Sequence, residues 1–186
     1  MLEAFLVSTG LVAIGEIGDK TQLLSLVLAA RFRRPWPIVA GIFAATLANH
    51  SIAGGIGAWI TDAVGIATMT KVVGASFLAM AAWALVPDKI DEGEVIREVR
   101  GGVFSTTVVL FFMAEMGDKT QVATMALAAR YPSLAAVVAG TTLGMLLADV
   151  PVVFFGDAIA KRVPLVVVRR MASAFFAILG VIALMQ

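Results

Sequence analysis

Long apolar segments recur along the whole chain, and short polar or basic stretches separate them. They cover about residues 2–30, 36–60, 64–86, 103–129, 133–157 and 165–185. Each is close to the roughly 20 residues that a helix needs to cross a bilayer. The runs are continuous and do not alternate over about 10 residues, as the strands of a membrane barrel do. The pattern predicts an all-α membrane protein with six transmembrane helices.

An internal repeat divides the chain into two halves. Residues 16–31 (EIGDKTQLLSLVLAAR) and 115–130 (EMGDKTQVATMALAAR) are identical at ten of sixteen positions, at an offset of 115 − 16 = 99 residues. The same offset pairs Gly41 with Gly140, Gly57 with Gly156, Lys71 with Arg170 and Phe77 with Phe176. We expect three-helix repeats at 1–86 and 103–186, joined by a charged cytoplasmic loop at 87–102.

The number of helices in each half determines how the halves are related. Three is odd, so the second half enters the membrane from the face opposite to the first. The two halves then form an inverted repeat about a pseudo-two-fold axis in the membrane plane. Transporters built in this way place their substrate site near the midplane, where the halves meet.

Composition supports a membrane protein and narrows its partners. The chain is 60% hydrophobic, with a mean hydropathy of +0.97, against about 45–50% apolar residues in soluble domains. The first apolar run has no basic n-region, so we expect a span and not a cleaved signal peptide. There are no cysteines, which excludes disulfides and thiolate metal sites. The net charge of +1 and the lack of a basic stripe argue against nucleic acid as a partner; membrane lipid is the expected surroundings.

The distribution of lysine and arginine predicts the orientation. Ten basic residues follow the first, third and fifth spans, whereas two (Lys71 and Arg130) lie on the opposite side. By the positive-inside rule the ten face the cytoplasm, so both termini lie outside it. Three tryptophans near span ends suit interfacial anchors: Trp36, Trp59 and Trp83.

Acidic residues occur in the middle of two oily segments, where charges are costly and usually functional. Glu16 and Asp19 are three residues apart, as are Glu115 and Asp118, so we expect each pair on one helical face. If the two-fold axis brings both helices together, four carboxylates converge. Only a cation, bound protons or both can relieve their repulsion in a medium of low dielectric. The predicted metal ligands are Glu16, Asp19, Gln22, Glu115, Asp118 and Gln121.

The residue types at this centre bear on its ion. Oxygen ligands favour Ca²⁺, Mn²⁺ or Mg²⁺ over Cu⁺ or Zn²⁺. Four carboxylates give −4, and Lys20 and Lys119 would leave −2, which one divalent cation neutralises. That balance requires the lysines to turn toward the site, although each lies about 100° around its helix from the aspartate. Thr21 and Thr120 either add hydroxyl groups or bond back to their own helix. No resident cofactor is expected, because the metal ion would be a transported substrate.

Other polar residues lie in the second and fifth spans. The 99-residue offset places His50 opposite Asp149, and Asn49 is next to His50. A buried histidine with a carboxylate relays protons or binds metal in some proteins, and in others it makes a plain interhelical hydrogen bond. The four motif acids also have a structural alternative, in which they pair with the lysines as a polar knot.

The two motifs resemble those of a known family. Two copies of E-x-G-D-[K/R]-[T/S], each opening a three-helix half, are similar to those of a group within the lysine-exporter superfamily. That group includes the eukaryotic Golgi calcium/manganese transporters and bacterial manganese exporters. The resemblance covers nearly the whole chain and matches every defined motif position. It implies transport of a divalent cation, Mn²⁺ or Ca²⁺, driven by protons, and for a chain this small it implies manganese export across a bacterial inner membrane.

The sequence is compatible with several other functions. An amino-acid exporter would need a pocket for a carboxylate, which an acidic midplane disfavours. A passive cation channel is compatible with the sequence. An intramembrane enzyme is kept open by the acids and His50, but the chain has neither an HExxH motif nor a nucleophile elbow. The prediction is therefore a secondary transporter and not an enzyme.

Overall fold

The computed structural model describes residues 1–86, 101–160 and 165–185, and these residues form eight α-helices and no strand. The predicted all-α class is confirmed. Residues 87–100 of the predicted loop, and 161–164, lie outside the described part of the chain. The helices are α1 (Leu2–Glu16), α2 (Lys20–Phe32), α3 (Pro35–Val64), α4 (Ile66–Trp83), α5 (Gly102–Glu115), α6 (Lys119–Arg130), α7 (Leu134–Ala160) and α8 (Leu165–Leu184).

Two of the six predicted helices are interrupted, so the prediction of continuous helices over 2–30 and 103–129 was wrong. The first run contains α1 and α2, and the fourth contains α5 and α6. Both breaks fall at a glycine with positive φ, Gly18 (φ 82°) and Gly117 (φ 80°). This left-handed conformation ends an α-helix and is open to glycine at little cost. The other four runs each form one helix.

Close helix contacts recur at the same 99-residue offset. A Cβ atom added at Gly41 would lie 2.6 Å from Thr107 Cβ, and one at Gly140 would lie 2.9 Å from Ser8 Cβ. Gly41 and Gly140 are equivalent positions of the repeat, as are Ser8 and Thr107. Small residues at these crossings let two helix backbones approach each other closely. Matched crossings therefore join α3 to α5 and α7 to α1.

The two halves are interleaved and do not pack as separate lobes. Helix α3 packs against α5 and α6, and α7 packs against α1 and α2. The broken helices also meet across the halves, because α1 contacts α6 and α2 contacts α5. Both breaks are consequently surrounded by helices on several sides.

The outer surface of the helical assembly is apolar. Trp36 is 72% exposed and Trp59 is 70% exposed, as expected for side chains that face lipid or its interface. Among the described residues, two helical segments are long and apolar enough to cross a membrane, Pro35–Val64 and Leu134–Gly156. The second contains Pro151, and its backbone is non-helical at Phe155, four residues further along the chain.

Candidate functional site

Each motif forms a helix end, a short turn and a new helix start. Helix α1 ends at Glu16, and Asp19 is the residue that precedes α2. The Asp19 amide donates to the Glu16 carbonyl at 3.0 Å, and the Asp118 amide donates to the Glu115 carbonyl at 3.2 Å. The expected placement of each pair on one continuous helical face was therefore wrong. A turn brings the two acids together, because the glycine between them stops the helix.

Glutamine side chains stabilise both turns. Gln22 Oε1 accepts a hydrogen bond of 2.9 Å from the Gly18 amide, and Gln121 Oε1 accepts one of 2.8 Å from the Gly117 amide. These amides belong to the helix breaks and have no partner within a helix. The glutamine nitrogens reach the other half, where Gln22 Nε2 donates to the Ala148 carbonyl at 3.0 Å and Gln121 Nε2 donates to Asn49 Oδ1 at 2.6 Å. Gln22 and Gln121, which were predicted as metal ligands, therefore stabilise the backbone of the breaks in this structure.

All four motif acids are buried. Glu16 and Glu115 have no exposed surface, and Asp19 and Asp118 are 1% and 2% exposed. Glu16 is near enough to Glu115 and Asp118 for their charges to interact. One oxygen of Glu16 (Oε1) and one of Glu115 (Oε1) are buried without a hydrogen-bond partner. The breaks thus bring acids of both halves into one neighbourhood and leave acceptor oxygens available there.

The motif threonines contact these acids. Thr21 Oγ1 donates to Glu16 Oε2, and Thr120 Oγ1 donates to Glu115 Oε2 at 2.9 Å. Of the two alternatives for these residues, the hydroxyl group therefore faces the acid. Thr124, one helical turn further on, bonds back to its own helix at the Thr120 carbonyl.

The motif lysines pair with aspartates of the opposite motif. Lys119 Nζ lies 2.8 Å from Asp19 Oδ1, and Lys20 Nζ lies 3.2 Å from Asp118 Oδ2. The Lys119 side chain is 5% exposed and that of Lys20 is 32% exposed. The described part of the chain holds no cluster of three or more histidine, aspartate or glutamate side chains in a metal-binding arrangement. In this arrangement the lysines neutralise the aspartates.

The second and fifth predicted spans contribute the remaining polar residues. His50 is fully buried on α3, with Nε2 at 4.0 Å from Glu115 Oε2. Asp149 is fully buried on α7 and accepts a hydrogen bond of 2.8 Å from Ser25 Oγ. Asp149 also lies near enough to Glu16 and Glu115 for their charges to interact. Asn49 bonds across helices, with Oδ1 to Gln121 and Nδ2 to the Phe112 carbonyl at 3.5 Å.

Ser25 is the residue that sequence reasoning missed. It lies three positions after Gln22 on α2, which is the spacing of neighbours on one helix face. The repeat pairs it with Thr124, another hydroxyl residue. A small polar residue occurs at both equivalent positions of an otherwise apolar repeat, and this pattern could have indicated a functional side chain.

Comparison with known proteins identifies the family of the chain. Residues 4–92 and 103–186 match the family described as "Divalent cation/proton antiporter GDT1". A Vibrio cholerae protein named "Putative manganese exporter" is 47% identical over 97% of this chain and 90% of its own length. A GDT1-like protein of Synechocystis is 29% identical over 98% and 97% of the two chains, and GDT1-like protein 4 of Oryza sativa is 25% identical over 88% and 66%. No solved structure matches the chain.

Proposed function

Because this chain belongs to the GDT1 family of divalent cation/proton antiporters, we propose that it exports Mn²⁺ from the cytoplasm in exchange for protons. Ca²⁺ is the other candidate substrate. The observation that supports the proposal is the pair of helix breaks. Each break carries two buried carboxylates, and Glu16 of one half is near enough to Glu115 and Asp118 of the other for their charges to interact. Buried acids of this kind require a compensating cation or proton. A cation/proton exchanger needs a site that accepts either one.

The proposed binding site uses oxygen atoms from both breaks. Glu16, Asp19, Glu115 and Asp118 would supply carboxylate oxygens, which hard divalent cations prefer. Gln22 and Gln121 would act chiefly by holding the turns, since their oxygens already accept backbone hydrogen bonds. The helix ends at each break add backbone dipoles at the same depth, as in the broken helices of other transporters.

Protons would use the same neighbourhood. Asp149 has one oxygen bonded to Ser25, and its Oδ2 is buried without a hydrogen-bond partner. His50 lies beside Glu115, the glutamate of the second break. These two residues occupy equivalent positions of the repeat, so each half would contribute one proton-carrying group beside the acids of the breaks.

The proposed membrane arrangement is an inverted repeat of six spans in a bacterial inner membrane. Spans one and four would each be a broken helix, α1 with α2 and α5 with α6. The matched crossings of Gly41 with Thr107 and Gly140 with Ser8 support a two-fold relation between the halves 1–86 and 103–186. Both termini would lie outside the cytoplasm, and the charged loop 87–102 inside it.

The decisive experiment is transport by purified protein in liposomes. Uptake of Mn²⁺, Ca²⁺, Mg²⁺ and Zn²⁺ would be measured with and without a pH gradient, together with the movement of protons. Mn²⁺ uptake that is accelerated by a proton gradient and moves protons outward in return supports the proposal. Uptake that ignores the gradient and moves no protons indicates a passive channel. Lysine transport without metal transport would indicate an amino-acid exporter.

A further inference from the structure

The motif lysines exchange partners between the two halves. Asp19 and Lys20 are adjacent in sequence, as are Asp118 and Lys119, yet each lysine contacts the aspartate of the other motif. Adjacent side chains leave a helix start in different directions, so each lysine points away from the aspartate beside it in sequence. The contact with the other motif depends on how the two halves pack. The two breaks are therefore joined by two reciprocal ion pairs.

Buried ion pairs of this kind add little to the net stability of the fold. Removing two charges from water has a desolvation cost that is about as large as their mutual attraction. Asp19 is the residue before α2, yet its side chain makes no capping bond to the α2 amides, and its Oδ1 lies 2.8 Å from the Lys119 ammonium. Asp118 does cap its helix, by accepting from the Lys119 amide at 2.6 Å. The Lys119 ammonium thus takes the place of a local helix cap at Asp19.

A lysine ammonium and a divalent cation compete for the same carboxylate. Bonds from hard divalent cations to carboxylate oxygens are about 2.0–2.6 Å long, so an ion on Asp19 would lie beside the Lys119 nitrogen. Two positive groups at such a distance repel each other strongly, because the protein interior screens their charges incompletely. Binding of either positive group to the aspartate therefore weakens binding of the other.

We infer that Lys20 and Lys119 are internal counter-cations, each of which holds the aspartate of the opposite motif until a divalent cation displaces it. This inference rests on the proposed function, because it assigns the lysines a role at the same site. They are positioning residues, since they act through the aspartates. They keep the unloaded breaks together and they prevent the loaded site from binding its ion too tightly to release it.

The two lysines differ in how readily they can move away. The Lys20 side chain is 32% exposed, so its ammonium has room to move away from Asp118, whereas the Lys119 side chain is 5% exposed. We therefore expect the Lys20–Asp118 pair to open first. The Lys119–Asp19 pair would open only after the ion has entered.

The test compares binding with turnover in charge-removing variants. Binding of Mn²⁺ to detergent-solubilised protein would be followed by the paramagnetic resonance signal of the free ion, and turnover would be measured in liposomes. In Lys20→Met and Lys119→Met the Kd for Mn²⁺ should fall at least about tenfold, because a repelling charge is removed, while turnover falls through slow release. Lys20→Arg, which keeps the charge, should return the Kd toward that of the wild type. Lys71→Met removes an exposed lysine on α4 and should change neither quantity.

The outcomes separate this inference from the proposed function. If wild-type protein neither binds nor transports Mn²⁺, the proposed function fails. If wild-type protein binds Mn²⁺ but both methionine variants bind it equally well or more weakly, the counter-cation role is wrong and the transporter stands. A purely structural role would lower the melting temperature and turnover of the methionine variants without tightening Mn²⁺ binding. Should Lys119→Met not fold, Lys20→Met decides, since its lysine is partly exposed.

Discussion

Ser25 Oγ donates a hydrogen bond of 2.8 Å to Asp149 Oδ1 in the interior of the protein, and this bond joins α2 to α7. Asp149 has no exposed surface, and it lies near enough to Glu16 for their charges to interact. A buried aspartate beside the proposed site, with one oxygen fixed and the other unpartnered, is well placed to hold a proton.

The first prediction concerns Asp149→Asn. Asparagine keeps the shape and accepts the Ser25 bond, but it neither gains nor loses a proton. Mn²⁺-driven proton release should fall by about a hundredfold, the scale expected when a positioned proton-transfer group is lost, while Mn²⁺ still binds. Asp62→Asn changes an exposed aspartate near the end of α3 and is the matched control. Proton release at the wild-type rate in Asp149→Asn would show that protons take another route.

The second prediction concerns the helix crossings. An alanine Cβ at Gly57 would lie 2.3 Å from the Met125 carbonyl oxygen, and one at Gly140 would lie 2.5 Å from the Phe5 carbonyl oxygen. Backbone atoms on a packed helix give way only with a shift of that helix, so each variant should lose about 1–3 kcal/mol of stability. The free energy of unfolding would be followed by thermal melting in detergent.

Gly55→Ala is the control for these crossings. It lies two residues before Gly57 on the same helix, and an added Cβ there meets nothing within 4 Å. Alanine is a better helix former than glycine by about 1 kcal/mol, so this variant should melt at the wild-type temperature or slightly above it. Equal melting of Gly55→Ala and Gly57→Ala would contradict the proposed close crossing.

Comparison of sequence and structure shows what hydropathy can reveal about such a chain. The position of the acids and the 99-residue repeat were visible because both depend on residue identity alone. The breaks were not predicted, since an apolar run does not show where a glycine adopts positive φ. That conformation is held by bonds such as the one from the Gly18 amide to Gln22. The pairing of each lysine with the aspartate of the opposite motif could not be predicted either, because it depends on how the two breaks face each other in three dimensions.

The third prediction concerns the glutamines. Gln22→Ala and Gln121→Ala each remove one bond to a glycine amide at a break and one bond to the other half. Two bonds at about 1 kcal/mol each correspond to a rise of up to roughly thirtyfold in the Kd for Mn²⁺, and transport should persist at high Mn²⁺. Thr61→Val removes a hydroxyl that bonds back to the Gly57 carbonyl away from the breaks, and it should leave the Kd unchanged. Complete loss of transport in either alanine variant would instead indicate direct ligation of the ion.

The fourth prediction concerns orientation. The chain has no cysteine, so single cysteines give a clean signal. Glu3→Cys, near the start of α1, should react with a membrane-impermeant thiol reagent on whole cells, and Glu94→Cys, in the charged loop, should react only after the cells are opened. The reverse result would place the termini in the cytoplasm.

The last prediction concerns the four acids. Glu16→Gln, Asp19→Asn, Glu115→Gln and Asp118→Asn keep side-chain shape and remove a negative charge from a site that is closed to water. Each should abolish Mn²⁺ resistance in cells. The two glutamine variants should stay in the membrane at the wild-type level, because losing one acid relieves repulsion among the others. The two asparagine variants should lose some stability, because each leaves a lysine without its charged partner. Glu3→Gln, an exposed change on the same helix as Glu16, should retain resistance. If both asparagine variants transport Mn²⁺ at the wild-type rate but melt at lower temperature, the acids and lysines are a structural knot. The crossed ion pairs would then serve to hold the two halves together, and the substrate would have to bind elsewhere.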